Sequence, residues 1–231
     1  MLDAGEFFGR GHLALFHGSR EVVARPAFGR GNVHNDYGRG FYCTESPQLA
    51  SEWACPTLED GYVNEYLLQT QGLALIDLSS AEYSVLNWIA VLLGHRTFEL
   101  RPGAMAEARQ FMVETYGVNL EGADLVHGYR ADDSYFAFAR AFLDNRIGVR
   151  GLEKALFKGG LGYQIVLRSQ KAFGHIAFQQ STLAEGQVWN PLRVVRDSRA
   201  RAAWEALEVE SLYDRDDVRV IDLMRGASWG A

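Results

Sequence analysis

Hydrophobic and polar positions follow two different periods along this chain, and the changes of period mark its elements. A compact apolar run at residues 13–17 leads into His17-Gly18-Ser19, which predicts a strand whose polar tip sits at a loop. Residues 29–40 read GRGNVHNDYGRG, too rich in Gly, Asn and Asp for regular structure, and strand composition resumes at Phe41-Tyr42-Cys43-Thr44. Ser46-Pro47 then opens a helix, Ser as N-cap and Pro at the first position. Leu49, Ala50, Trp53 and Ala54 share one face of it, and Cys55-Pro56 ends it. Strands are expected at 62–69 and 73–78, followed by a helix at 81–93 that is apolar nearly all round and a second at 105–116, closed by Gly117.

Residues 123–129 read as a strand, and Asp132-Asp133-Ser134 cap a helix on which Tyr135, Phe138, Ala139, Phe142 and Leu143 recur at helical spacing. A short helix at 151–158 is broken by Gly159-Gly160-Leu161-Gly162, and strands follow at 163–167 and 175–179. Beyond Gln187 the chain is richer in Arg, with a helix near 197–210 and a β-like or helical segment at 218–224. Strands segregate toward both ends with helices between them, so the class is α+β. Residues 1–187 are read as one domain and 188–231 as a C-terminal helical extension packed on it. FGRG at Phe8, FGRG at Phe28 and YGRG at Tyr37 are not a structural repeat, because their spacings of 20 and 9 differ.

With 231 residues and 48% apolar positions, the chain is long enough to bury roughly 70% of its unfolded surface without disulfides or structural metal. Cys43 and Cys55 form neither a CxxC nor a disulfide framework, and a reducing, cytoplasmic setting is the expectation. A net charge of −6 supplies no long-range field toward nucleic acid or an anionic membrane. The N-terminus has no basic segment followed by an apolar one, and the most apolar stretch, 84–94, falls short of the roughly 20 residues of a spanning helix, so a soluble protein is expected.

The motifs of P-loop NTPases, zinc proteases, α/β-hydrolases, EF-hands and dinucleotide-binding βαβ units are absent from the sequence. What remains is His17-Gly18-Ser19 at a strand end, Gly38-Arg39-Gly40-Phe41-Tyr42 entering the next strand, and Trp53 about two turns into the following helix. Tyr42 and Trp53 facing one cleft would make a slot for a flat ring, and a cationic ring gains a further ~0.5–2 kcal/mol from the ring quadrupoles. Oxidised nicotinamide is such a ring. Singly, each residue also has a plainer reading: His17 as a satisfied core histidine, Tyr42 and Trp53 as packing aromatics, Asp132-Asp133 as an N-cap. Gln164 would be a strand-end residue with a backbone partner, and the Arg-rich segment 193–201 a solvated helix face.

In HGS, GRGFY and the aromatic after ten further residues, the chain resembles the ADP-ribosyltransferase superfamily, in its diphtheria-toxin and poly(ADP-ribose)-polymerase-like branch. Trp53 stands where that branch usually has a second Tyr. Through NDYGRGFYCTE, VNEY, GYRADDSYFAFARAF and GYQIVLRSQKAF it is more closely similar to bacterial proteins of the DUF3990 type, over nearly the whole chain. The resemblance implies an ADP-ribosyltransferase-like split β-sandwich with inserted helices and NAD as co-substrate. It implies that His17 bonds the adenosine ribose, that Gly18 backbone groups hold the nicotinamide carboxamide, that Ser19, Arg39 and Gly40 belong to the NAD-binding surface, and that Tyr42 and Trp53 enclose the nicotinamide. It also implies mono-ADP-ribosyl transfer to a macromolecular acceptor, protein rather than nucleic acid, in a toxin-like or regulatory setting with an antitoxin-like partner. No metal and no membrane are called for. NAD glycohydrolysis and a catalytically silent NAD-binding or protein-interaction module are the alternatives.

The branch carries a glutamate on a later strand, and aligning the strand that begins Tyr163 places Gln164 there. Gln can bond a ribose hydroxyl but brings no charge, and on this alignment Gln164→Glu is expected to raise turnover. Asp132 as a catalytic residue and Asp133 as a binding residue are candidates to supply the missing charge. Glu65 of VNEY is another, although it comes early in chain order. Arg20, Arg39 and Arg130 are candidates for the pyrophosphate, because guanidinium matches phosphate oxygens in bidentate fashion.

Overall fold

Segments with strand composition assemble into two sheets, and the apolar helices cover the larger of them. The computed structural model describes residues 1–97, 99–131, 133–158, 162–214 and 216–229. Its class is α+β, and the sheets do not close into a barrel. The smaller sheet is antiparallel, in the order β2 (His12–Ser19), β4 (Gly61–Gln69), β8 (Ile176–Ala184). The larger runs β1 (Leu2–Asp3), β5 (Ala74–Asp77), β6 (Leu125–Tyr129), β7 (Tyr163–Leu167), β3 (Phe41–Cys43).

In the larger sheet only β5 and β6 are parallel, joined by a crossover through helices α3 (Val85–His95) and α4 (Ala104–Tyr116). Both faces of this sheet are buried, which explains why its strands read as compact apolar runs rather than alternating ones. Leu75, Leu125, Ile165 and Leu167 meet Leu13, Leu15 and Leu68 of the smaller sheet in one buried cluster. Ile76, Val126 and Val166, on the opposite face, pack against Leu86, Trp88, Ile89 and Leu93 of α3 in the main core. Each such side chain contributes about 1.5–3 kcal/mol of burial. The Ser84 hydroxyl and the Asn87 side chain box the start of α3, so this nearly all-apolar helix begins with its orphan N–H groups satisfied.

The helix after β3 begins where the sequence places it. Ser46 Oγ accepts the Leu49 N–H at 3.2 Å and Pro47 opens α2 (Pro47–Ala54). Other elements differ from expectation. β1, α1 (Ala4–Phe8) and α7 (Gln170–Gly174) are too short to show a period and rest on caps, Asp3 for α1 and Ser169 for α7. β8 reaches Ala184 because it pairs with the whole of β4, past a bulge at Glu65/Tyr66.

The C-terminal helix α8 (Gly186–Tyr213) starts ahead of Pro191 rather than after it. Its first turns are held by Asn190 Nδ2 on the Cys55 carbonyl at 3.2 Å and by the Arg196–Glu52 ion pair at 2.6 Å. α8 also contacts α5 (Asp133–Leu143) and α6 (Val149–Lys158), and residues 218–224, left open between strand and helix, form the short helix α9 (Val220–Met224). Among the described residues no helix is long and apolar enough to cross a membrane.

Among the described residues the two sheets touch edge to edge at one place. Phe16 and Thr44 exchange backbone hydrogen bonds of 2.8 and 2.9 Å, an isolated bridge between β2 and the end of β3. The next pair in that register would be Gly18 opposite Tyr42, but there the strands part: Gly18 stays paired with Val63 and Tyr42 with Val166. Helix α2 crosses the parting so closely that a Cβ on Gly18 would lie 1.9 Å from the Ala50 carbonyl oxygen and 2.7 Å from the Ala54 nitrogen. Backbone cannot yield as a flexible side chain does. Gly18→Ala is therefore expected to lower stability by about 1–3 kcal/mol, read as a reduced urea midpoint, whereas Gly11→Ala, with nothing within 4 Å of its added carbon, should leave the midpoint near wild type.

Candidate functional site

Where the strands part, a cavity of about 570 Å³ opens, within the size range of small-molecule sites. His17, Tyr42, Trp53, Arg130 and Gln164 line it together although they come from five different segments. The loop between β2 and β3 forms the opposite wall. That loop is held down by β4: Asn64, fully buried, donates to Ser19 Oγ at 2.9 Å and accepts the Val23 N–H at 2.9 Å, and the Tyr66 hydroxyl donates to the Val23 carbonyl.

His17 closes the gap left by the missing backbone pair. Its Nδ1–H donates to the Tyr42 carbonyl at 2.7 Å. A carbonyl only accepts, so the neutral ring is fixed with Nε2 as the acceptor. Burial pulls the His17 pKa below its ordinary value, with the bond to Tyr42 opposing, which favours the neutral ring. The Tyr42 hydroxyl is turned into the loop, accepting the Tyr37 N–H at 3.0 Å and donating to the Gly38 carbonyl at 2.6 Å. This fixes the ring plane. Gly38 has φ 76°, the left-handed conformation glycine tolerates, and lies against the His95 ring. Trp53 faces the same cavity from α2 and makes no ring contact with Tyr42, while the Arg130 guanidinium sits 5.5 Å from its ring centroid.

Gln164 lies on the floor, 3% exposed. Its partner is the residue sequence reasoning missed: Asp36 of the NDYG segment, 6% exposed. Asp36 Oδ2 accepts from Gln164 Nε2 at 2.9 Å and from the Ala131 N–H at 3.2 Å, and Oδ1 lies 3.5 Å from Arg96 Nε. Burial pushes the Asp36 carboxyl above the usual range, while Gln164, Arg96, the Ala131 N–H and Arg130 pull it back. Composition alone marks NDYG as turn material. The signal it hides is Tyr37, which is fully buried and donates its hydroxyl to the Tyr129 carbonyl at 2.6 Å, fixing its neighbour Asp36 to the cavity floor.

Of the other expected residues, Gly40 lines the cavity, and its packing requires glycine, since a Cβ would stand 2.4 Å from Val166 Cγ1. Gly18 has its backbone polar groups on the same strand edge as Phe16, toward the parting. Ser19 is engaged with Asn64 and with the Glu21 carbonyl. Arg39 is exposed and outside the lining, and so is Arg20, which pairs at 3.7 Å with Glu59. Glu65 faces away and accepts from Gln180 at 2.7 Å. Asp133 begins α5, and Asp132 and the Asp133 side chain lie outside what the structure describes. Among the described residues, the cations on the wall are instead Arg25, Arg30, Arg96 and Arg130, four guanidiniums with the carboxylate of Asp36 beside them.

A family model described as "Protein of unknown function (DUF3990)" matches residues 13–178. The chain belongs to the DUF3990 family. No curated protein and no solved structure matches it. The DUF3990 match runs from β2 into β8 and contains every described residue that lines the cavity, whereas α8 and α9 lie beyond it.

Because His17 has a lowered pKa in the fold, the unfolded chain takes up its proton first. Stability is full above about pH 6.5 and is lost as pH falls from there toward the lowered folded value. His17→Gln, which cannot titrate, should narrow its deficit relative to wild type on going from pH 7.5 to pH 5. Paired urea titrations at the two pH values measure this.

Proposed function

We propose that this chain is a mono-ADP-ribosyltransferase that cleaves NAD at the nicotinamide–ribose bond and passes ADP-ribose to a macromolecular acceptor, a protein in preference to nucleic acid. On this reading the two parted sheets are an ADP-ribosyltransferase-like split β-sandwich. The observation that carries it is one cavity lined together by Tyr42, Trp53, a neutral histidine of fixed tautomer and four arginines. An oxidised dinucleotide has the matching parts: a flat cationic ring for Tyr42 and Trp53, ribose hydroxyls for His17 Nε2, and a pyrophosphate for guanidinium.

In this reaction the C1′–N1 bond breaks, its electron pair goes to the nicotinamide nitrogen, and neutral nicotinamide leaves. The ribosyl group passes through an oxocarbenium-like state, as in other glycosidic cleavages. An acceptor hydroxyl, or another nucleophile, then bonds C1′ and gives its proton to solvent. The protein's part is to fix the ring and the ribose so that the bond breaks where the nucleophile waits, and to favour the charge that develops. Arg25, Arg30 and Arg96 join Arg130 as the phosphate-facing candidates in place of Arg20 and Arg39.

Purified protein incubated with adenine-labelled NAD and cell extract should release nicotinamide and move label onto protein. Trp53→Ala should weaken NAD binding about tenfold or more, as loss of a stacking partner does. Release without transfer of label would identify a glycohydrolase instead. Absence of NAD binding would overturn the assignment altogether.

A further inference from the structure

We infer that Asp36 and Gln164 act as one unit, in which the Gln164 carbonyl oxygen meets the positive charge developing on the ribose and the buried Asp36 carboxylate orients and polarises that amide. The inference rests on the NAD-cleavage reading and supplies the charge which Gln164 alone lacks.

The hydrogen-bond geometry fixes which end of the amide faces the ligand. Gln164 Nε2 donates to Asp36 Oδ2 at 2.9 Å and to the Tyr129 carbonyl at 3.3 Å. Both partners are pure acceptors, so the NH₂ group must occupy that side. Oε1 is then the polar atom left over; it accepts no hydrogen bond from a described residue, and Gln164 lines the cavity. An amide whose N–H bonds to a carboxylate carries more negative charge on its oxygen, and the effect is strengthened where water is excluded.

Asp36 itself is not free to swing. The Ala131 N–H and Arg96 hold its two oxygens, and the next residue, Tyr37, is locked into the core through Trp88 Nε1 at 2.9 Å and the Tyr129 carbonyl. Asp36 thus acts through Gln164 as a positioning residue. The same geometry reverses the expectation for Gln164→Glu: a second carboxylate would face Asp36 and the Tyr129 carbonyl with no donor between them, so the single substitution should destabilise the protein rather than speed it.

The test uses two ADP-ribose mimics that differ only in the terminal ring, one a protonated pyrrolidine and the other a neutral tetrahydrofuran. Calorimetry on wild type should give about 10- to 100-fold tighter binding of the cation. Asp36→Asn should reduce that ratio about tenfold while the neutral mimic binds as before. Gln164→Met, which keeps the shape but removes the oxygen, should do the same, so a poorly folding Asp36→Asn does not decide the matter.

The charge-swapped double variant Asp36→Asn/Gln164→Glu should recover the preference, because an amide at 36 can donate to a carboxylate at 164. A ratio unchanged in both single variants, with the neutral mimic still bound, would overturn the inference and leave NAD binding standing. Failure of wild type to bind NAD or either mimic would overturn the NAD reading and this inference with it.

Discussion

The Phe16–Thr44 backbone pair and the parting of strands immediately beyond it organise the site. At that bridge the edges of the two sheets meet; one register step further, Gly18 and Tyr42 do not pair, and the backbone groups that would have bonded across the gap need other partners. His17 supplies one, reaching the Tyr42 carbonyl with Nδ1–H. The bond that satisfies the split also fixes the tautomer of the ring at its mouth. Close packing of α2 on Gly18 brings Trp53 to the same opening.

The second constraint is the anchoring of a glycine-rich loop by the fully buried side chain of Tyr37. Tyr37 reaches Tyr129, 92 residues away, and Trp88, 51 residues away, and its backbone N–H is taken by Tyr42. Asp36 and Gly38 flank it, so a charged group and a left-handed turn are both set in place by that insertion. Burying a carboxylate is costly unless it is compensated, and here the compensation comes from Gln164, Arg96 and the Ala131 N–H. If the chain cleaves NAD as we propose, such an arrangement suits a site that must present negative charge to a transient cation without letting water screen it.

Much of this architecture is written locally in the sequence. The Ser46-Pro47 start of α2, the apolar wrap of α3 and the compact runs of β5, β6 and β7 are properties of short windows, and the structure places them within a few residues of expectation. His17, Tyr42 and Trp53 could be picked out because motif spacing fixes where a strand end and the second turn of a helix fall, and Gln164 because the resemblance aligns its strand with one that carries a glutamate. Asp36 could not. Its placement depends on where Tyr37 inserts and on a strand more than a hundred residues later, and no local pattern encodes either. For the same reason Arg39, next to the motif glycines, turns outward while Arg96, just past the end of α3, reaches the cavity. The start of α8 was hidden by Pro191, which ends most helices but here lies near an N-terminus fastened to α2.

The central claim is that the cavity at the parting of the sheets is a dinucleotide site. A crystal structure of the protein soaked with a non-hydrolysable NAD analogue tests it directly. The expected density has the nicotinamide ring between Tyr42 and Trp53, a ribose within hydrogen-bond distance of His17 Nε2, and the pyrophosphate against arginines of the opposite wall. Density for the analogue elsewhere, or an empty cavity at saturating analogue, would contradict the claim.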